Sequence, residues 1–146
     1  MTPREQLEES CVFCKILLSK TDGHRVFEDE HTLAFLDYRP LFPGHCLLIP
    51  KTHLETIADL PNPLISALFL NARKLAGAVQ QAMEAEGTFI AANNRVSQSV
   101  PHFHIHIVPR RKGDGLKGFF WPRTKYKDAQ EIATVASKIK AAILGL

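Results

Sequence analysis

The sequence predicts an α+β fold around an antiparallel sheet, and three observations carry that prediction. Short β-like runs precede a long stretch of helical period, two more such runs follow it, and the connections within each group are too short for parallel crossovers. At 146 residues, 45% hydrophobic and 23% charged, the chain has the apolar material for one buried core and too little charge for disorder. One compact domain spanning residues 1–146 is therefore expected.

Residues 1–10 carry charge without a convincing apolar face, and a short helix over Val12 to Leu18 is expected after them. Three strands follow in an antiparallel meander: Arg25 to Glu28, Thr32 to Leu36, and His45 to Ile49 between Pro43-Gly44 and Pro50. From Asn62 to about Glu86, Leu64, Leu68, Ala72, Leu75, Val79, Ala82 and Met83 recur at helical intervals. Pro61 and Pro63 suit the start of that helix, and Gly87 suits a left-handed cap at its end. Strands over Thr88 to Ala92 and His102 to Val108 flank a polar loop from Asn93 to Ser99. A glycine-rich stretch, Gly113 to Gly118, leads through Phe119-Phe120-Trp121-Pro122 to a last helix. There Ala129, Ile132, Ala136, Ile139 and Ile143 share a face and Asp128 with Glu131 resembles a capping box.

Eighteen basic against fifteen acidic residues leave a formal charge of +3, mild for a nucleic-acid binder and suited to an anionic small molecule. Neither a nucleic-acid nor a membrane partner is expected, since no apolar run approaches the ~18–20 residues needed to cross a bilayer. The N-terminus lacks the apolar core of a signal peptide, and the odd set Cys11, Cys14 and Cys46 fits a reducing cytoplasm.

The run His102-Phe103-His104-Ile105-His106-Ile107-Val108 alternates strictly, so a strand would set three imidazoles on one face, successive ones ~6.5–7 Å apart, and the apolar side chains on the other. Three readings stay open from the residues alone. The histidines line a solvated polar face, they ligate zinc with a third ligand and an open position, or the middle one attacks phosphorus as a neutral imidazole. Cys11-x-x-Cys14 reads as a metal or redox motif, or as two buried thiols, and Cys46 as a buried small hydrophobe.

The run Gln98 to Arg110, with Cys11 to Ile16, Ala34 to Asp37 and Pro43 to His53 upstream in order, resembles the histidine-triad (HIT) family of nucleotide hydrolases and transferases. The likeness spans about residues 11–112, with 113–146 as a C-terminal extension resembling a bacterial branch. It implies a HIT-like fold: a five-stranded antiparallel sheet, one long helix and a C-terminal helix. It also implies that His104 attacks an α-phosphate to give a nucleotidyl-histidine. His106 and His45 would act beside it, with Gln98 and Ser99 in the catalytic loop. Asp37 would accept the ribose hydroxyls, Phe13, Ile16 and Phe35 would hold the base, and Asn93, with Asn94 as its alternative, and Ser99 would bind phosphate or leaving group.

Some members of the family bind zinc through two cysteines and two histidines. Here Cys11, Cys14, His53 and His102 are the implied set, a structural zinc that takes His102 out of catalysis. No organic cofactor is expected. The resemblance further implies a homodimer and a purine nucleotide or nucleotide conjugate as substrate. A dinucleoside polyphosphate hydrolase or phosphorylase, a zinc hydrolase with catalytic triad ligands and a weakly catalytic nucleotide-binding module are the alternatives.

Overall fold

The computed structural model describes residues 2–19, 24–116 and 123–146. Lys117 and the Gly118 to Pro122 stretch of the expected C-terminal linker lie outside them. The elements run α1 (Pro3–Ser10), α2 (Val12–Leu18), β1 (Arg25–Glu28), β2 (Thr32–Leu36), β3 (Cys46–Pro50), a 3₁₀ turn at Ile57–Asp59, α3 (Asn62–Ala82), β4 (Gly87–Ala91), β5 (Ile105–Arg110) and α4 (Ala129–Leu144). They group into two compact units, residues 1–112 and 113–146, and the boundary coincides with the end of the family likeness.

The first unit holds one antiparallel five-stranded sheet in the order β1-β2-β3-β5-β4. Alternation gives it two apolar faces. Ala34, Cys46, Leu48, Phe103, Ile105 and Ile107 meet Leu68, Ala72, Leu75 and Val79 of α3 in one core. Leu33, Phe35, Leu47 and Ile49, on the opposite face, pack with Cys11, Phe13 and Cys14 of the N-terminal segment in a second. Phe103 is fully buried, and a change to alanine there would cost about 3–5 kcal/mol in transfer and cavity terms.

Several expectations need correction. A helix not among the expected elements forms over Pro3–Ser10, and Thr2 and Glu5 make a reciprocal capping box at its start: Glu5 N–H donates to Thr2 Oγ1 at 3.2 Å and Thr2 N–H to the Glu5 carboxylate. The long helix ends at Ala82, whose side chain is exposed, and the left-handed conformation falls on Glu84 at φ 51°; Gly87 instead opens β4, opposite Arg110. The histidine run is only partly ladder. Pairing with β3 starts at Ile105, because the Phe103 N–H is drawn to the Leu54 carbonyl at 2.6 Å and the His102 N–H to that of Val100 at 2.8 Å. The histidine face is also not open, since α2 covers its first half and leaves His102 and His104 buried.

His45 precedes β3 rather than starting it, held in a turn by its N–H to the Phe42 carbonyl at 3.0 Å. Gly44 makes that turn possible: its φ is 95°, and a Cβ there would lie 2.5 Å from Met83 Cγ. In the second unit, Asp128 caps α4 by accepting the Glu131 N–H at 2.8 Å, but the Glu131 carboxylate reaches back to the N–H of Lys127 rather than that of Asp128. No side chain of α4 is buried, and Ile132, Ile139 and Ile143 of its apolar stripe are exposed.

Candidate active site and metal cluster

Register brings the catalytic candidates together. Leu47 of β3 lies opposite His106 of β5, so His45, two residues before Leu47, reaches the same face of the sheet as His104 and His106. The His104 and His106 ring centroids are 4.9 Å apart, and those of His45 and His106 5.2 Å.

The hydrogen bonds assign a tautomer to each ring. His104 Nδ1 lies 2.8 Å from the carbonyl of His102, which can only accept, so Nδ1 carries the proton and Nε2 the lone pair. The Leu41 N–H donates to His45 Nδ1 at 3.1 Å, leaving the His45 proton on Nε2, which lies 3.0 Å from His106 Nδ1. His106 therefore accepts through Nδ1 and carries its own N–H on Nε2. Asp37 stands at the back of this relay, Oδ2 3.8 Å from His45 Nε2 and Oδ1 accepting the Arg39 N–H at 2.9 Å.

Burial is the largest influence on all three rings and favours the neutral form. It holds His106 down to about 4, with the His104 and His45 rings opposing a further positive charge and Asp37 offsetting part of the effect. His45 and His104 are lowered for the same first reason, and Asp37 again opposes the shift. A neutral His104 with a free Nε2 lone pair can act as a nucleophile, and the Nε2 N–H of His106, on a ring 4.9 Å away, is a hydrogen-bond donor.

Phe13 is buried with its ring 5.1 Å from that of His104 and 5.4 Å from that of Phe35, both edge to face. Ile16, one helical turn on, is half-buried against the same cluster. The loop after β4 takes the left-handed conformation at Arg95 and Ser97, φ 68° and 59°. Gln98 braces it, accepting the Arg95 N–H at 2.8 Å and donating to the Glu55 carbonyl at 2.7 Å. Asn93 donates to the Ser97 carbonyl at 3.2 Å, Asn94 accepts the Ile57 N–H at 2.8 Å, and Ser99 is exposed. The hydrogen bonds of Asn93 and Gln98 thus shape the loop rather than reach the imidazoles.

The second constellation assembles as the sequence implied. The donor atoms of Cys11, Cys14, His53 and His102 all lie within 4.8 Å of one another. His102 Nδ1 stands 3.5 Å from both sulfurs, and His53 Nδ1 3.3 Å from that of Cys14. Bonds of ~2.3 Å to sulfur and ~2.0 Å to nitrogen at tetrahedral angles would set sulfur and nitrogen about 3.5 Å apart, so the cage is close to the size of a zinc site. The His102 N–H on Nε2 goes to the Pro50 carbonyl at 2.8 Å, which leaves Nδ1 for a metal and supplies the outer hydrogen bond such a ligand needs. Burial keeps His102 down to about 4, and burial with the neighbouring Cys11 sulfur pushes the Cys14 thiol up to about 12, a trend that a bound cation reverses.

Asp37, His45 and His106 also gather within 4.8 Å, but the Leu41 N–H on His45 Nδ1 leaves the proton on the Nε2 that would have to ligate. That group is a hydrogen-bond relay rather than a metal site. Cys46 is buried with its thiol pushed up to about 11, the small hydrophobe expected.

The residues that sequence reasoning missed are backbone groups: the carbonyls of Pro50 and His102 and the N–H of Leu41, which decide the tautomers. No side-chain pattern announces them. Arg25 was also missed as an anchor. Its guanidinium donates to the Ile16 and Ser19 carbonyls at 2.9 and 3.1 Å and so closes the C-terminal end of α2.

The HIT domain profile matches residues 19–113. Protein hit of Bacillus subtilis is 39% identical over 137 residues, covering 89% of this chain and 94% of its own. The adenosine 5'-monophosphoramidase of Saccharomyces cerevisiae is 33% identical over 126 residues, 84% of this chain and 76% of that one. Among solved structures, a zinc-bound histidine triad family protein from Mycobacterium smegmatis superposes with a TM-score of 0.70 at 34% identity, covering 92% of this chain and 99% of that one. With the ordered motifs and the sheet topology, these matches establish that the chain belongs to the histidine-triad family.

Proposed function

We propose that this chain is a nucleotide hydrolase or nucleotidyltransferase acting at the α-phosphate of a purine nucleotide conjugate through His104. Family membership supports the nucleotide hydrolase class. The observation that carries the finer reading is the tautomer set, which leaves His104 Nε2 with a free lone pair and His106, on the neighbouring ring, with its N–H on Nε2.

In this mechanism His104 Nε2 forms a bond to the α-phosphorus as the bond to the leaving group breaks, and the leaving group departs with the electron pair. The His102 carbonyl accepts the N–H of Nδ1 throughout, so positive charge developing on the ring is stabilised without a base having to remove a proton. His106 donates from Nε2 to the phosphate or the departing atom, while His45 and Leu41 fix its ring. Water then bonds to phosphorus as the phosphorus–Nε2 bond breaks; the electron pair returns to Nε2, the water's surplus proton passes to solvent, and the nucleoside monophosphate leaves a neutral His104. Loop amides from Ser97 to Ser99 are offered to the phosphate oxygens, with Asn93 and Ser99 as polar contacts. Asp37 accepts from the ribose, and Phe13, Ile16 and Phe35 flank the base.

The yeast relative's name supports an adenosine nucleotide with an amine leaving group; a dinucleoside polyphosphate hydrolase or phosphorylase is the rival. Cys11, Cys14, His53 and His102 would hold one structural zinc, which when bound neutralises the thiolates and joins α2 to the sheet. The metal reading requires reduced thiols, in keeping with a cytoplasmic location, and no described helix is long and apolar enough to cross a membrane. The outer edge of β4, with Ile90 exposed, supports a homodimer.

The decisive experiment presents adenosine and guanosine phosphoramidates and dinucleoside polyphosphates in turn and traps the protein by rapid acid quench for mass analysis. A nucleoside monophosphate adduct on His104 is expected. Turnover in which no adduct accumulates, together with an active His104→Asn variant, would overturn covalent catalysis.

A further inference from the structure

We infer that the metal cluster and the nucleotide site are energetically linked through α2, with Phe13 as the positioning residue, so that zinc and nucleotide each tighten the hold on the other. This rests on the nucleotide-site reading above and adds to it a coupling that neither site implies alone.

The argument begins with the length of α2. Seven residues, Val12–Leu18, are far too few for a helix to stand by itself in water, so α2 is ordered by what holds it from outside. Three anchors do so. Cys11 caps it and Cys14 sits in its first turn, both facing His102; Arg25 closes its other end; and Phe13 and Ile16 pack into the core on that face of the sheet.

Phe13 stands between the two sites. Its ring lies 5.9 Å from that of His102 and 5.1 Å from that of His104, edge to face with each. The base-flanking positions Phe13 and Ile16 are thus on the same helical turns as the ligands Cys11 and Cys14. A second connection runs through His102, which faces the thiols with Nδ1 and fixes the His104 tautomer with its own carbonyl.

Those anchors hold α2 without either ligand, so the coupling lies in the mobility that α2 keeps with them alone. Whichever ligand binds first removes it, and the second binds to a segment already fixed. Linkage then requires the coupling to be reciprocal and of one size.

The test uses the zinc-loaded full-length chain and AMP as the probe nucleotide. Zinc transfer to a chromophoric chelator is timed with and without saturating AMP, and AMP affinity is measured by calorimetry before and after zinc removal. We expect AMP to slow zinc loss roughly tenfold, zinc removal to weaken AMP by a similar factor, and Phe13→Leu to bring both ratios towards one while zinc content stays at one per chain. AMP that fails to bind the loaded protein would overturn the nucleotide-site reading. AMP that binds while zinc loss is unchanged would overturn the coupling and leave that reading intact. Full coupling in Phe13→Leu would remove Phe13 as the link. If the stripped protein unfolds, the chelator arm on the loaded protein decides the matter by itself.

Discussion

His102 and His104 are two residues apart, both buried and both in contact with the ring of Phe13, yet they are equipped for different chemistry. The difference lies in which nitrogen each ring spends on the backbone. His102 gives its Nε2 proton to Pro50 and turns Nδ1 to two thiols, whereas His104 gives its Nδ1 proton to His102 and leaves Nε2 free. Residue type supplies an imidazole; the nearest carbonyl decides which ring nitrogen is left without the proton, Nδ1 facing the thiols in His102 and Nε2 in His104.

The sharpest test of the His104 half of that comparison sets His104 against His106, whose ring centroid lies 4.9 Å away. His104→Asn should lower turnover by roughly 10³–10⁶-fold while AMP still binds, because the covalent step needs that imidazole and the base and ribose contacts do not. His106→Ala should cost less, about 10²–10⁴-fold, as the loss of a positioned donor. A larger loss for His106→Ala than for His104→Asn, read from single-turnover kinetics, would mean that the two roles are exchanged, and equal losses would remove the distinction between them.

On the metal side, Cys11→Ser should remove the ion and lower stability, since a ligand bound only to the native state adds RT ln(1 + [L]/Kd), about 4 kcal/mol at a thousandfold excess over Kd. The His104 adduct should still form at low temperature, because the His102 carbonyl that fixes His104 is main chain and survives the substitution. Metal analysis, thermal unfolding and adduct yield on one preparation check all three. Well below one equivalent of zinc in the wild type, with Cys11 and Cys14 fully reactive, would remove the metal site. An adduct lost with the metal in a protein that stays folded would move the ion into catalysis.

How much of this contrast the sequence disclosed follows from what a sequence encodes locally. Strands β1 and β2, helix α2 and the α3 stripe were legible because alternation and helical period are local; Cys-x-x-Cys and His-x-His-x-His were legible as motifs in the chain itself, whereas joining His53 to the first and His45 to the second rested on the family resemblance. The start of β5 was not, since it depends on Leu54 taking the Phe103 N–H from a distant segment. Nor was α1, whose signal was a Thr2/Glu5 box rather than an apolar face. The tautomers were illegible in principle: Pro50 and His102 act through carbonyls that every residue possesses.

A third prediction uses pH. The folded His106 is held near 4 by burial, below the ordinary value of about 6.5 for an exposed imidazole. Between those values the unfolded chain binds the extra proton, so stability from this ring is complete above about pH 6.5 and is lost as pH falls towards 4. His106→Gln should flatten the stability slope in that window by up to about 1.4 kcal/mol per pH unit, the share of one proton. Denaturant titrations at several pH values read it directly, and an unchanged slope would mean that His106 is no more protonatable unfolded than folded.

The smallest expected effect concerns Asp37, whose two oxygens have different neighbours. Oδ1 is taken by the Arg39 N–H, while Oδ2 lies 3.8 Å from His45 Nε2, beyond an ordinary hydrogen bond, so that oxygen is open to a ribose hydroxyl or to a protonated His45. As a ribose acceptor, Asp37 predicts that Asp37→Ala weakens AMP by about 1–3 kcal/mol and 2′,3′-dideoxy-AMP much less, because only the first loses a charged hydrogen bond. As a partner of the relay, it predicts equal affinity losses for the two nucleotides and a fall in turnover concentrated in kcat. The ratio of the two affinity changes, measured by calorimetry on wild type and variant, therefore assigns the carboxylate to binding or to the imidazole chain, and a ratio near one would take Asp37 out of the nucleotide pocket.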